Sequence, residues 1–331
     1  MNRVPGYSLS ESECEDMYYY MLLARRLSER MLTLNRQGRA AFVIAGAGQE
    51  AAQVGAAMAL SKGVDFAAPY YRDLAVNLVL GMDAREAMLN VLGKKDDPNG
   101  GGRQMPAHWG NASRRIVTQS SVVATQLLHA CGIALAARHR DDPIVVYASC
   151  GEGSTSRGDF HEALNFAAIK KLPVIFFIEN NGFAITSRTD KEMPLQHVAD
   201  RARAYGMQSA VVDGMDAVAV YQTVKPAVDQ ARRGGGPHLI EAKCYRLWAH
   251  SSDDDDSRYR TKAELEEWSR KDPVVVFRAR VEEDSIFPPD HLDEIESRVA
   301  DEVTEATAWA LAQPDPEPED ALGFVYKDEE R

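Results

Sequence analysis

From about residue 124 to residue 244 the chain alternates amphipathic stretches with short apolar runs, and this alternation limits the fold more than any other feature. The runs Ile144-Val-Val-Tyr-Ala148 and Val174-Ile-Phe-Phe-Ile178 are continuously apolar, as strands buried on both faces are. A short buried helical segment would show the same pattern, but the strand reading is preferred. The resulting order is helix 124–139, strand 144–149, helix 159–170, strand 173–179, helix 195–205, strand 209–213, helix 216–232 and strand 238–244. Such an order predicts an α/β fold, a parallel sheet flanked by helices.

Before this region lies a long amphipathic helix over about 10–37, with Met17, Met21, Ala24, Leu27, Met31 and Leu34 three or four apart. Ser10-x-x-Glu13 starts it as a capping box and Gly38 stops it. Shorter helical patterns follow at 49–60, 73–80 and 84–92, then a glycine-rich stretch at Asn99–Gly102 opens an irregular segment to Gln119. So long a loop is often functional. Beyond Tyr245 come an acidic loop and helical patterns at 261–270, 274–283 and 290–312. The division expected is one domain over 1–312 and an acidic tail over 313–331, in which Ala321-Leu-Gly-Phe-Val-Tyr326 is an apolar patch suited to docking on a partner.

The formal charge of -12 repels phosphate backbones, which argues against nucleic acid as a general partner, so an anionic ligand needs a local device. Four cysteines without a C-x-x-C pair argue against a disulfide framework or thiolate zinc site and fit a reducing cytoplasm. No apolar run approaches the roughly 20 residues of a membrane span, and no secretory leader pattern opens the chain.

Two loops should converge at the carboxyl edge of the sheet, where open parallel sheets bind ligands. Cys150-Gly-Glu-Gly-Ser154 offers glycines for close backbone approach and Glu152 as a hard oxygen donor. Glu179-Asn-Asn-Gly-Phe183 offers the Asn181 side-chain oxygen and the Phe183 carbonyl, 29 and 31 residues after Glu152, enough for one strand-helix-strand crossover. The helix between them opens on Asp159-Phe-His-Glu162, a capping-box pattern whose end favours phosphate. Singly, each piece marks a turn or a helix start; jointly, they predict a magnesium-diphosphate clamp over 151–183.

The order strand-G-E-G, helix, strand-E-N-N resembles the thiamine diphosphate motif of 2-oxo acid dehydrogenase E1 alpha subunits, and the resemblance covers almost the whole chain. Branched-chain (2-oxoisovalerate) alpha subunits look most similar, through Gly151-Glu-Gly153, Gly102-Arg-Gln-Met-Pro-Ala-His108 and His250-Ser-Ser-Asp-Asp-Asp-Asp256. The resemblance implies a thiamine diphosphate-binding fold, with Glu152, Asn181 and the Phe183 carbonyl on Mg²⁺ and Gly153 and Ser154 against the diphosphate. It places Tyr71 and Arg72 on the diphosphate too, where a guanidinium grips in a bidentate fork. In Ser120-Ser-Val-Val-Ala-Thr-Gln126 it implies cofactor contacts from Ser121 and Val123 and a potassium site from Ser120, the Val122 carbonyl, Thr125 and Gln126. His250 would be the catalytic histidine, Ser251 aligns with a phosphorylation position of some relatives, and His108 and Trp109 would border the substrate entrance. Two departures stand out: Glu179 where some relatives have Arg, and Ala249 where a histidine precedes the active one.

What the resemblance implies is oxidative decarboxylation of a 2-oxo acid and acyl transfer to the lipoyl domain of an E2 acyltransferase. An E1 beta subunit would supply the activating glutamate, in an alpha2-beta2 heterotetramer. A pyruvate or acetoin alpha subunit is the nearest alternative, since one methylene is worth only about 1–3 kcal/mol of discrimination. A non-catalytic interaction subunit is the alternative from another class. No G-x-x-x-x-G-K-[ST] loop supports a phosphotransferase.

Overall fold

A computed structural model describes residues 3–323. Its sheet joins β1 (Phe66–Ala68), β2 (Val146–Gly151), β3 (Val174–Asn180), β6 (Gln208–Asp213) and β7 (His238–Lys243), while β4 (Phe183–Ala184) and β5 (Ser187–Arg188) form a separate antiparallel hairpin. The order is β1-β2-β3-β7-β6, and every pair in it is parallel. Residues of β2 and β3 divide by parity, as the period of two requires. Val145, Tyr147, Ile175 and Phe177 join a core shared with α1 (Glu11–Arg36), α2 (Glu50–Met58), α3 (Leu74–Val79) and α4 (Ala84–Leu92). Val146, Ala148, Cys150, Val174, Phe176 and Ile178 face α5 (Thr125–His139) and α6 (Gly158–Lys170) instead.

After a one-turn helix α7 (Thr189–Glu192), α8 (Ala217–Arg232) packs on the first face beside α2. The chain closes with α9 (Lys262–Ser269), α10 (Pro273–Glu283) and α11 (Pro289–Leu311). All six apolar positions expected on the inner face of α1 are buried, and its capping box forms, with Ser10 Oγ accepting from Glu13 N at 3.3 Å and Ser10 N donating to Glu13 Oε2 at 2.7 Å. Each such fully buried large side chain stabilises the fold by about 1.5–3 kcal/mol.

Three expectations need correction. The stretch 195–205 is not an α-helix but a 3-10 segment confined to Val198–Tyr205. No capping box forms at Asp159, because the 3-10 turn Glu152–Ser156 leads the chain into α6 at Gly158 and leaves Asp159 inside the first turn, where it still complements the helix dipole. The strand at 144–149 is displaced to Val146–Gly151, so pairing runs to Gly151 opposite Glu179 and delivers both glycine-bearing loops to the same edge.

The described part of the tail folds back on its own chain. Lys95 N donates to Pro314 O at 3.1 Å, Lys94 pairs with Asp315 at 2.8 Å and Lys95 with Asp320 at 2.8 Å. These contacts strap the glycine-rich loop, which Asp97 knits by accepting from Asn90 Nδ2 at 3.1 Å and from Asn99 N and Gly100 N at 3.0 Å. Of the apolar patch Ala321–Tyr326, residues 324–326 lie outside the described residues. All four cysteines are buried and unpaired, and among the described residues no helix is long and apolar enough to cross a membrane.

Candidate functional site

At the carboxyl ends of β2 and β3 the loops enclose a cavity of about 490 Å³. Tyr71, Arg72, Ser121, Val123, Glu152, Gly153, Ser154, Asn181, Phe183 and His250 all line it. Among the described residues no group of three His, Cys, Asp or Glu could hold a metal, so a cation here needs mixed donors.

Glu152 is 2% exposed. Its Oε2 accepts from Asn181 N at 3.1 Å, and its Oε1 has no partner among the described residues. Burial pushes the carboxyl up to about 7, against the pull of the Glu152 and Asn181 backbone N–H groups and of Arg246 and Arg72. A buried carboxylate oxygen without a partner, in one cavity with Asn181 and Phe183, is part of the donor set a hard cation takes. Gly153 cannot be replaced freely, since a Cβ there would lie 2.5 Å from Ala184 Cβ.

The hairpin β4–β5 shapes the rim around Ile185, a β-branched residue held at φ 56°. That left-handed conformation costs about 1–2 kcal/mol. Arg246 offsets it by donating from Nη2 to Ile185 O at 2.8 Å, and its Nη1 reaches Phe183 O at 3.4 Å.

Two guanidiniums are buried here, Arg72 at 2% and Arg246 at 1% exposure. Arg72 donates to Ala45 O at 2.6 Å and His250 O at 3.3 Å, while Arg246 donates to Tyr259 Oη at 3.0 Å. Neither takes a carboxylate partner among the described residues, and each keeps a buried Nε without an acceptor. Burial and the charge of Arg72 lower the pKa of Arg246. Burial, then Arg72 and Arg246, push the His250 imidazole down to about 4. Two uncompensated buried cations on one cavity wall favour an anionic ligand.

The segment before α5 behaves in two parts. His108 lines the cavity and its Nε2 lies 2.7 Å from Ser121 Oγ, whereas Trp109 is buried away from it with Nε1 unpartnered, so only His108 of that pair borders the entrance. Ser120, Val122, Thr125 and Gln126 do not line the cavity. Thr125 Oγ1 and Gln126 Oε1 are buried without partners among the described residues, while Gln126 Nε2 donates to Ser149 O at 2.7 Å. Ala124, immediately before Thr125, is held at φ 72°, a local strain of the kind functional loops carry.

Sequence reading overlooked Arg246, Tyr70, Phe42, Ile44 and Ile185, which also line the cavity. Half-buried Phe42 and Ile44 flank buried Val43, the one alternation that could have placed them. Glu179, the departure from Arg, does not reach the cavity: it is fully buried, accepts from Gln53 Nε2 at 3.0 Å and lies 3.2 Å from Tyr70 Oη. Burial and the neighbouring Asp73 carboxyl hold its pKa well above the ordinary carboxylate range. Ala249 leaves His250 as the imidazole of this loop at the cavity, with Ser251 half-buried beside it.

Residues 18–319 match the profile of the dehydrogenase E1 component. The chain belongs to that family. It is 50% identical over 329 residues to the 2-oxoisovalerate dehydrogenase subunit alpha of Bacillus subtilis, covering 98% of each chain. It is 37% identical over 299 residues to the pyruvate dehydrogenase E1 component subunit alpha of Staphylococcus aureus, covering 90% of this chain and 78% of that one. Against the 3-methyl-2-oxobutanoate dehydrogenase subunit alpha of Mycobacterium tuberculosis it is 35% identical over 318 residues, covering 96% and 84%. The resemblance to E1 alpha subunits drawn from the G-E-G and E-N-N loops is thus borne out by the whole length of this E1 component.

Proposed function

We propose that this E1 component is the alpha subunit of a branched-chain 2-oxo acid dehydrogenase, binding thiamine diphosphate through Mg²⁺. The observation that carries the reading is the pairing, in one cavity, of the orphaned Glu152 Oε1 with the uncompensated guanidiniums of Arg72 and Arg246. That wall suits a cation and the polyanion it bridges.

Glu152, Asn181 Oδ1 and the Phe183 carbonyl hold the magnesium ion. Arg72 and Tyr71 grip the diphosphate, Gly153 and Ser154 lie against it, and Ser121 and Val123 contact the cofactor as well. When bound, the thiazolium ring supplies the nucleophile and electron sink for decarboxylation. His250 offers an Nε2–H to the reacting oxygen, and the low pKa of its imidazole keeps it neutral at physiological pH. Thr125 Oγ1 and Gln126 Oε1, with Ser120 and the Val122 carbonyl, form a second, monovalent cation site that braces this loop; the buried orphan oxygens of Thr125 and Gln126 support it.

Phe42, Ile44, Met105 and Ile185 give the cavity an apolar wall, which fits a branched alkyl chain. The cavity lining carries exposed apolar side chains, Met105 at 53% and Ile185 at 57%. Such a rim suits cover by a beta subunit that completes the site in an alpha2-beta2 assembly, with the acyl group then passing to the lipoyl domain of E2.

The test is cofactor binding and turnover with the beta partner. Glu152→Ala should abolish Mg²⁺-dependent thiamine diphosphate binding, and 3-methyl-2-oxobutanoate should be turned over faster than pyruvate. Unchanged binding would overturn the clamp, and preference for pyruvate would overturn the substrate.

A further inference from the structure

Gln49 is fully buried at the start of α2 and belongs to neither loop of the clamp. Its Oε1 is nevertheless the meeting point of three donors. Asn181 Nδ2 and Tyr70 Oη each lie 3.2 Å from it, and Cys244 Sγ lies 4.0 Å away. The Gln49 Nε2 has no partner among the described residues.

An asparagine amide can face either way, and for a cation the two faces are opposite in effect, since oxygen binds and NH₂ repels. The backbone N–H of Phe183 donates to Asn181 Oδ1 at 3.3 Å, which places the oxygen on the loop side. The other end of that amide must then meet an acceptor in the buried interior. Gln49 Oε1 is that acceptor. A reversed Gln49 would set NH₂ against NH₂ and strand Asn181 Nδ2 away from water, a penalty of about 1–3 kcal/mol.

We infer that Gln49 is a positioning residue for the cation: its side-chain oxygen, steadied by Tyr70, locks the Asn181 amide with Oδ1 turned to the metal. The inference rests on the reading that Glu152 and Asn181 hold Mg²⁺. It assigns the start of α2, more than 130 residues away along the chain, a part in the affinity of the site. Partners behind a metal ligand commonly change affinity by about 10–100-fold when removed.

The test uses the assembled complex with its beta partner and follows thiamine diphosphate binding by tryptophan fluorescence as Mg²⁺ is titrated. Gln49→Met keeps the unbranched shape but removes the acceptor, and should raise the half-saturating Mg²⁺ concentration at least about tenfold. Gln49→Glu retains an oxygen there and should restore binding to within about threefold of wild type. In an Asn181→Asp background, where a carboxylate presents oxygen both ways, Gln49→Met should have little further effect. A purely structural role would weaken binding equally in both backgrounds, and that result overturns the inference. So does an unchanged Mg²⁺ requirement in Gln49→Met, or a Gln49→Glu form as weak as the methionine one. Gln49→Leu takes the place of the methionine form if that one does not assemble. Wild-type binding that ignores Mg²⁺ would instead overturn the proposed function itself.

Discussion

The guanidinium of Arg72 places Nη2 3.3 Å from Nδ1 of His250. A guanidinium has only hydrogens to give, so Nδ1 accepts and the ring proton sits on Nε2. Arg246 Nη1 reaches the same nitrogen at 3.4 Å. The catalytic candidate is thereby fixed in one neutral tautomer before any ligand arrives.

Arg246→Met should raise the His250 pKa from about 4 toward its ordinary 6.5, since it removes one of the charges that lower it. Carbethoxylation of His250 as a function of pH reads this directly, and an unmoved midpoint would count against the electrostatic account. Stability follows the same shift. Between about 4 and 6.5 the unfolded chain binds the proton that folded His250 refuses, so its contribution to stability is present above 6.5 and falls as pH drops toward 4.

Glu152 runs the other way. With its folded pKa raised from 4.5 to about 7, the folded state holds a proton that the unfolded state gives up, so this contribution to stability is present below 4.5 and lost as pH rises through 7. Mg²⁺ needs the ionised form. Apparent Mg²⁺ affinity should therefore fall by about tenfold per pH unit below about 7 and level off above it. Calorimetry in buffers of different ionisation heat should show about one proton released per ion near pH 6 and about none near pH 8. Equal release at both would refute the raised pKa.

The tail strap makes a mutational prediction at Gly102, which sits at φ +74° with room for no side chain. A Cβ would lie 2.6 Å from Gly93 O and 2.8 Å from Pro316 Cγ. Gly102→Ala should destabilise the complex by about 1–3 kcal/mol. Truncation after Ala312 should speed amide exchange over 94–110 and remove part of the Gly102→Ala penalty, because Pro316 is gone. A penalty identical with and without the tail would show that the strap does not bear on this loop.

Arg25 should be among the least replaceable residues outside the cavity. It donates from Nε to Glu50 at 2.7 Å and from Nη2 to Asp272 Oδ1 at 3.1 Å, and its guanidinium lies 5.8 Å from the Trp248 ring. Arg25→Met leaves the buried Glu50 charge without a cation, and should lower unfolding stability by about 3–5 kcal/mol in urea titrations. Pairing it with Glu50→Gln should recover much of the loss. If the double variant is no more stable than the single one, the ion pair is not the cause.

Periodicity read from the sequence located the long helix, four of the five strands of the parallel sheet and both cavity loops, because each signal there is local and repeated. β1 escaped because three residues are too few to show a period. The 3-10 segment Val198–Tyr205 carries a helical pattern whose geometry is decided by packing against β6 and β7. Glu152, Asn181 and Phe183 were legible through glycine-flanked strand ends. Arg246 and Gln49 were not, since a charged residue after a strand and an amide before a helix look like surface residues until the fold buries them. The tail's return to Lys94 and Lys95 is a contact across more than 200 residues, which no local pattern announces.

The exposed Met105 and Ile185 at the mouth bear on how the chain is made as well as on what it binds. On the proposed reading, a copy that leaves the ribosome ahead of its beta partner carries a bare greasy collar around a half-built cavity. Such copies stick to one another or occupy chaperones. Matched synthesis of the two chains is then a requirement for solubility, written into the same two side chains that frame the entrance.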